Sequence, residues 1–337
     1  MKFKSIFLIL ILSININAKE IQKLVWPSAP DPARIEFKAL ITSPEDLEIK
    51  KGIFSRAWEF FAGSSEEERF VKPFGLHVDE NQRLYVSDTG TRIVSVLDTK
   101  KNKKFIIEGT KKHRFISPMD IDTDKEGNIY ISDSVLGFVY VYNKKGKYLR
   151  KIGEGKKLHR PVGIAIDSKL KIIYVADTLA SKIQVYSLFG KYIKTIGKEG
   201  VEDGSFNKPT YIALDDDSNL YICDSMNHRV QILDKDGKFI SKFGKIGDTL
   251  SSLANPRGIT IDSNGNIFVT DTTFHVVKIF NKKGQLLLVL GHYGEKRGEF
   301  AIPEDIAISS EGVIYIADSY NMRVQVLKLL KNVKSGG

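Results

Sequence analysis

Apolar and polar residues alternate along most of this chain in short runs, and each run stops at a Gly, Asn or Asp turn. Period-two alternation predicts short β-strands with one face buried rather than helices. The strands fall into a larger repeat. A proline opens an alternating stretch that ends on a polar residue: Pro73-Phe-Gly-Leu-His-Val-Asp79, Pro118-Met-Asp-Ile-Asp-Thr-Asp124 and Pro161-Val-Gly-Ile-Ala-Ile-Asp167. It returns as Pro209-Thr-Tyr-Ile-Ala-Leu-Asp215, Pro256-Arg-Gly-Ile-Thr-Ile-Asp262 and Pro303-Glu-Asp-Ile-Ala-Ile-Ser309, the prolines lying 43 to 48 residues apart. A second strand follows each, ending on Asp88, Asp133, Asp177, Asp224, Asp271 or Asp318. A third is clearest in Arg229-Val-Gln-Ile-Leu233, and a fourth follows a Gly turn, as in Lys238-Phe-Ile-Ser-Lys-Phe-Gly244.

Four short strands joined by tight turns make a small antiparallel sheet that cannot bury both its faces alone. Six such sheets must stack, and stacking around an axis predicts an all-β, six-bladed β-propeller of four-stranded antiparallel blades over residues 71–330. The sixth repeat ends after three strands. Residues 34–42 (Arg-Ile-Glu-Phe-Lys-Ala-Leu-Ile and Thr42) are expected to supply its fourth strand and close the ring. Residues 19–33 read as an extended, Pro-rich linker and 331–337 as a polar tail. Residues 43–70 fit no blade. Ser43-Pro44-Glu45-Asp46 carries the marks of a helix start, and Ile53, Phe54, Ala57, Trp58 and Phe61 follow at helical spacing, so an accessory helix is expected there.

The Pro-x-Gly-Ile-x-x-Asp stretch, the Tyr-Val-x-Asp strand and Asn227-His228-Arg229-Val-Gln-Ile together resemble the NHL repeat, whose members are six-bladed propellers. The likeness runs over residues 71–330 and is closest in repeats 3 to 6. Repeat 2 departs with Leu136-Gly-Phe-Val, and repeat 5 with His275-Val-Val-Lys.

Charge and composition add limits. The net charge is +10, but the lysines sit in turns such as Asn143-Lys-Lys-Gly-Lys147, where they are solvated and discourage edge pairing, so a nucleic-acid partner is not expected. Lys2 and Lys4, the apolar run Ile6 to Leu12 and a small residue at Ala18 read as a cleaved signal peptide over residues 1–18. The mature chain, without a transmembrane segment, is therefore expected outside the cytoplasm, periplasmic or extracellular, as a monomer. Cys223 is the only cysteine, which leaves no intramolecular disulfide and suits a small core residue.

Candidate chemistry lies where the innermost strands begin, at the upper mouth of the axial channel. The second position after each proline reads Gly75, Asp120, Gly163, Tyr211, Gly258 and Asp305, and the first adds Arg257 and Glu304. Asp120, Tyr211, Arg257, Glu304 and Asp305 are thus the expected ligand-binding residues. Asp120, Glu304 and Asp305 are candidate Ca²⁺ ligands, since that hard cation takes oxygen donors. The leading expectation is a non-enzymatic module that binds a protein or glycan through the upper face. The alternative is a Ca²⁺-dependent, lactonase-like hydrolase or lyase at the channel mouth. The NHL resemblance also brings in amidating lyases that hold zinc on channel histidines, but no repeat here has His after its proline. His77 alone falls on an inner strand, while His113, His159, His228, His275 and His292 are scattered. Asp122-x-Asp-x-Glu-Gly127 imitates an EF-hand start but joins two strands. The six strand-end aspartates, one per repeat, read as turn caps.

Overall fold

A computed structural model describes residues 23–43, 46, 69–98, 100–101, 103–155 and 158–330. The expected signal peptide (1–18) and nearly all of the expected accessory helix lie outside the described residues. The first two strands are β1 (Val25–Trp26) and β2 (Ile35–Ile41). Blade 1 is β3 (Pro73–Val78), β4 (Arg83–Asp88), β5 (Ile93–Asp98) and β6 (Lys103–Ile107). Blade 2 is β7 (Pro118–Thr123), β8 (Ile129–Asp133), β9 (Phe138–Tyr142) and β10 (Tyr148–Ile152); blade 3 is β11 (Pro161–Asp167), β12 (Ile172–Asp177), β13 (Lys182–Ser187) and β14 (Tyr192–Ile196). Blade 4 is β15 (Pro209–Leu214), β16 (Leu220–Asp224), β17 (Arg229–Leu233) and β18 (Phe239–Phe243); blade 5 is β19 (Pro256–Ile261), β20 (Ile267–Asp271), β21 (Val276–Phe280) and β22 (Leu286–Leu290). Blade 6 is β23 (Pro303–Ile308), β24 (Val313–Asp318) and β25 (Arg323–Leu329).

Each blade is an antiparallel meander, and the six innermost strands β3, β7, β11, β15, β19 and β23 surround the axis. β2 runs antiparallel along β25, with Phe37 opposite Leu327 and Ile41 opposite Val324, and β1 pairs in turn with β2. Alternation along the strands sends one set of side chains to each face, and these meet in apolar clusters between neighbouring blades. Between blades 1 and 2, for example, Val94, Val96 and Ile107 pack on Ile121, Ile131 and Tyr140.

The repeat's polar signature holds the upper loops. Asp224 and Asp318 are completely buried; each accepts Nε–H of the arginine five residues on, Arg229 at 2.8 Å and Arg323 at 2.7 Å. Arg323 also donates to the carbonyls of Glu295, Lys296 and Glu299, and Gln325 to that of Glu299. The side chain of each strand-end aspartate takes amides from the loop that enters the blade, as Asp88 does from Val71 and Lys72 at 2.8 and 3.0 Å. Buried carboxylates repeated once per blade therefore cap loops. In blade 5 Lys278 stands where Gln231 and Gln325 stand elsewhere, and its Nζ reaches the carbonyl of Ser252. The EF-hand look-alike is a hairpin turn in which Asp124 accepts the Asn128 amide. Cys223 is buried in the core, where burial pushes its thiol up.

Candidate functional site

Register decides what faces the axis. In blade 1 the amide of Asp79 bonds back to Arg83 within the hairpin, so Leu76 and Val78, an odd number of positions away, turn their amides to the axis. The other inner strands repeat this. An inner edge of this kind leaves polar backbone groups that need partners, and three aspartates supply them. Asp120 accepts the amides of Ile121 and, across the blade boundary, Ile164, both at 2.8 Å. Asp122 repeats the arrangement two residues further on, accepting Thr123 and Ile166, both at 2.7 Å. Asp305 accepts Leu76 at 2.7 Å and, less directly placed, Ile306.

Asp120, Tyr211 and Asp305 do come together, as the closed end of an axial cavity of about 290 Å³. They alternate with glycine for a steric reason. A Cβ on Gly75 would lie 2.1 Å from the Met119 carbonyl oxygen, on Gly163 2.3 Å from that of Thr210, and on Gly258 2.5 Å from Cα of Asp305. The ring has room for three side chains at this level, and each glycine yields to the blade after it.

The expected upper mouth is not open. Phe74, Met119 and Val162 join Tyr211 in one buried apolar cluster, and Asp120, Tyr211 and Asp305 are each no more than 5% exposed. Arg257 pairs with Glu304 at 2.9 Å and lies over the Phe74 ring. These residues make a plug above the acids. The Leu76-level positions of all six inner strands are buried, whereas Val78, Thr123, Ile166, Leu214, Ile261 and Ile308 are all partly exposed. The cavity therefore opens at the lower face, where the inner strands end. Glu304 is turned to Arg257, and among the described residues no group of three or more His, Cys, Asp or Glu is placed to hold a metal ion.

Desolvation governs the acids. Burial, and then Asp305, pushes the Asp120 carboxyl well above the usual carboxylate range; burial does the same to Asp305 against the pull of its two amides. Burial followed by both aspartates pushes the Tyr211 hydroxyl up. Its Oη has no hydrogen-bond partner among the described residues. Asp122 is also raised by burial, with His77 pulling the other way. His77, noted as the one inner-strand histidine, faces that acid: Nδ1 lies 3.4 Å from Asp122 Oδ1, and Nε2 2.9 Å from Thr123 Oγ1.

A second surface feature was missed in the sequence. The turns joining second to third strands carry an apolar residue in five blades, two positions after the capping Asp at Val135, Leu179, Met226 and Tyr320 and three after it at Phe274. They are 38–66% exposed, and the neighbouring upper loops add Val201, Ile246, Leu250 and Tyr293 at 65–74%. On the hairpin turns of the lower face, the large exposed apolar residues are Leu170 and Phe189. The signal, Asp-x-apolar in four of the six repeats, was present in the sequence.

A family model described as the SMP-30/gluconolactonase/LRE-like region matches residues 55–243, more than half of the chain. An NHL-repeat model matches residues 300–327 and a β-propeller-repeat model residues 245–273. No curated protein matches the sequence. Among solved structures, a virginiamycin B lyase from Staphylococcus aureus is similar with a TM-score of 0.57 at 15% identity, covering 77% of this chain and 96% of that one. A gluconolactonase from Xanthomonas campestris gives 0.60 at 15% identity, over 77% and 87%. An auxiliary nutrient-binding protein from Bacteroides thetaiotaomicron gives 0.61 at 13% identity, over 78% and 70%. At such identities the likeness shows the fold.

Proposed function

Since the chain belongs to the SMP-30/gluconolactonase/LRE-like family, whose fold is shared by lyases, lactonases and binding proteins, its own residues must separate these roles, and we propose that it is an exported, non-enzymatic propeller that binds a protein through its upper face. The observation that carries this reading is the belt of exposed apolar residues on the upper loops. Exposed apolar surface rimmed by polar groups marks interaction sites, and here most of the exposed apolar loop residues gather on the upper face, against Leu170 and Phe189 below. The bound partner would bury Met226 and Tyr320, the kind of flexible and aromatic anchors that concentrate binding energy.

Against a hydrolase at the channel mouth stand the acids' own contacts. Asp120 and Asp305 accept backbone amides beneath an apolar plug, where no substrate reaches them from above. In this reading β2 closes the ring as the outer strand of blade 6, which leaves the upper loops on a rigid base. Residues 1–18 are in this reading a signal peptide removed on export.

The test uses exported protein, whose mature chain should begin at Lys19 by mass spectrometry. Wild type, a Met226→Ser/Tyr320→Ser variant and a lower-face Phe189→Ser control are cross-linked in the native envelope. A protein captured by wild type and by the control, but lost from the upper-face variant, supports the proposal. Equal capture by all three, or none, overturns it, and hydrolysis of a lactone abolished by Asp120→Asn would restore the enzyme reading.

A further inference from the structure

We propose that the axial cavity, entered from the lower face, is a binding site for a short aliphatic diammonium compound. The site is independent of the upper-face reading. It stands on the spacing of its charges, on their unbalanced sign and on one orphaned group.

Asp120 and Asp122 make the same pair of bonds to the same two strands, β7 and β11, shifted by two residues. Two residues of strand set their carboxylates about 6.6 Å apart along the axis. An extended diamine with about four carbons between its nitrogens spans about 6 Å, from single bonds of about 1.5 Å. One ammonium then sits at the closed end, between Asp120 and Asp305, and the other beside Asp122 nearer the opening.

The sign of the charge fits. Among the described residues the cavity wall carries three carboxylates and His77, with no Lys or Arg. Arg257 lies above the plug, occupied with Glu304. Each carboxylate oxygen that takes one amide keeps a second lone pair for another donor. A cavity of about 290 Å³ has room for a ligand of this size.

The orphaned group is the Tyr211 hydroxyl. It is 2% exposed, lines the closed end and lacks a partner among the described residues. A buried polar group left unmatched is costly. An ammonium held by Asp120 and Asp305 presents three N–H donors at that level, and the phenol oxygen accepts one. The ammonium also favours the charged forms of two carboxyls that burial otherwise holds toward their protonated forms on either side of Gly75.

Isothermal titration of the full chain with 1,4-diaminobutane, and with butylamine as the single-charge control, tests this. The diamine should bind with one-to-one stoichiometry and at least about tenfold more tightly than butylamine, since the second charge-assisted contact is made only by the diamine. Asp122→Asn, which keeps its volume and lies at the open end, should lower diamine affinity about tenfold and leave butylamine unchanged. Tyr211→Phe should weaken both, with unchanged circular dichroism showing that the fold survives. Equal affinity for the two amines, no binding of either, or indifference to Asp122→Asn overturns the proposal. The Met226→Ser/Tyr320→Ser variant should bind the diamine like wild type, so failure at one face leaves the other reading standing.

Discussion

Replacing Gly163 by alanine tests whether the channel floor and its plug are built by alternation of glycine with larger residues. The added Cβ would lie 2.3 Å from the Thr210 carbonyl oxygen and 2.6 Å from Cα of Tyr211. Both are backbone atoms of β15, so no rotamer change relieves the overlap. Ordinary contact would require the inner edges of blades 3 and 4 to separate by about 1 Å, which loosens the packing of Ile164 against its neighbours. Overpacking of this kind costs about 1–3 kcal/mol, and a backbone collision belongs at the upper end. For a domain of this size each kcal/mol moves the melting temperature by roughly 2–4 °C, so Gly163→Ala should melt about 5–10 °C below wild type.

The measurement is thermal unfolding followed by circular dichroism, with Gly155→Ala as the matched control. Gly155 has no atom within 4 Å of the added Cβ, so that variant should melt within about 1 °C of wild type or slightly above it, through lowered entropy of the unfolded chain. If Gly163→Ala behaves like its control, the inner strands are not packed to contact. The alternation of Gly75, Gly163 and Gly258 with Asp120, Tyr211 and Asp305 would then need another cause.

The repeat was legible because its physical causes are local. Each blade needs its own hairpin turns, its own capping aspartate and its own period-two strands, so the pattern recurs whenever those needs recur. The positions of Asp120, Tyr211 and Asp305 were legible for the same reason, as departures from glycine at one repeat position. Their surroundings were not. Whether the start of an inner strand opens to solvent depends on Phe74, Met119 and Val162 meeting from three blades, separated by more than forty residues each. The same holds for the Asp120–Ile164 and Asp305–Leu76 contacts, which cross blade boundaries. In the sequence His77 is a lone inner-strand histidine and Asp122 belongs to an EF-hand look-alike, with nothing to link them. Only the packing of β3 beside β7 brings them to 3.4 Å. Met226 and Tyr320 do not stand out in the sequence, because pattern alone does not distinguish an apolar residue in a strand from one on a turn tip.

The repeat signature and the buried acids give two more expectations. Arg323→Ala removes four hydrogen bonds and leaves Asp318, fully buried, without its cation. Breaking one partner of such a pair costs about 3–5 kcal/mol, so the urea midpoint should fall with little change in slope, and a loss under about 1 kcal/mol would refute the structural role given to the signature. The pH dependence of stability concerns Asp305. Burial raises its folded carboxyl to about 8, while the unfolded chain titrates near the ordinary value of about 3.9. The folded state therefore holds the proton more tightly. That stabilisation is complete below the unfolded value and is lost as pH rises through the folded one. Asp305→Asn keeps an oxygen for the Leu76 amide and carries no charge at any pH. Wild-type melting temperature should thus decline between about pH 4 and pH 8, relative to the variant, and the two curves should diverge most at the upper end. Parallel curves would mean that Asp305 is charged throughout, solvated from the lower opening, and that the closed end of the cavity is wetter than its burial implies.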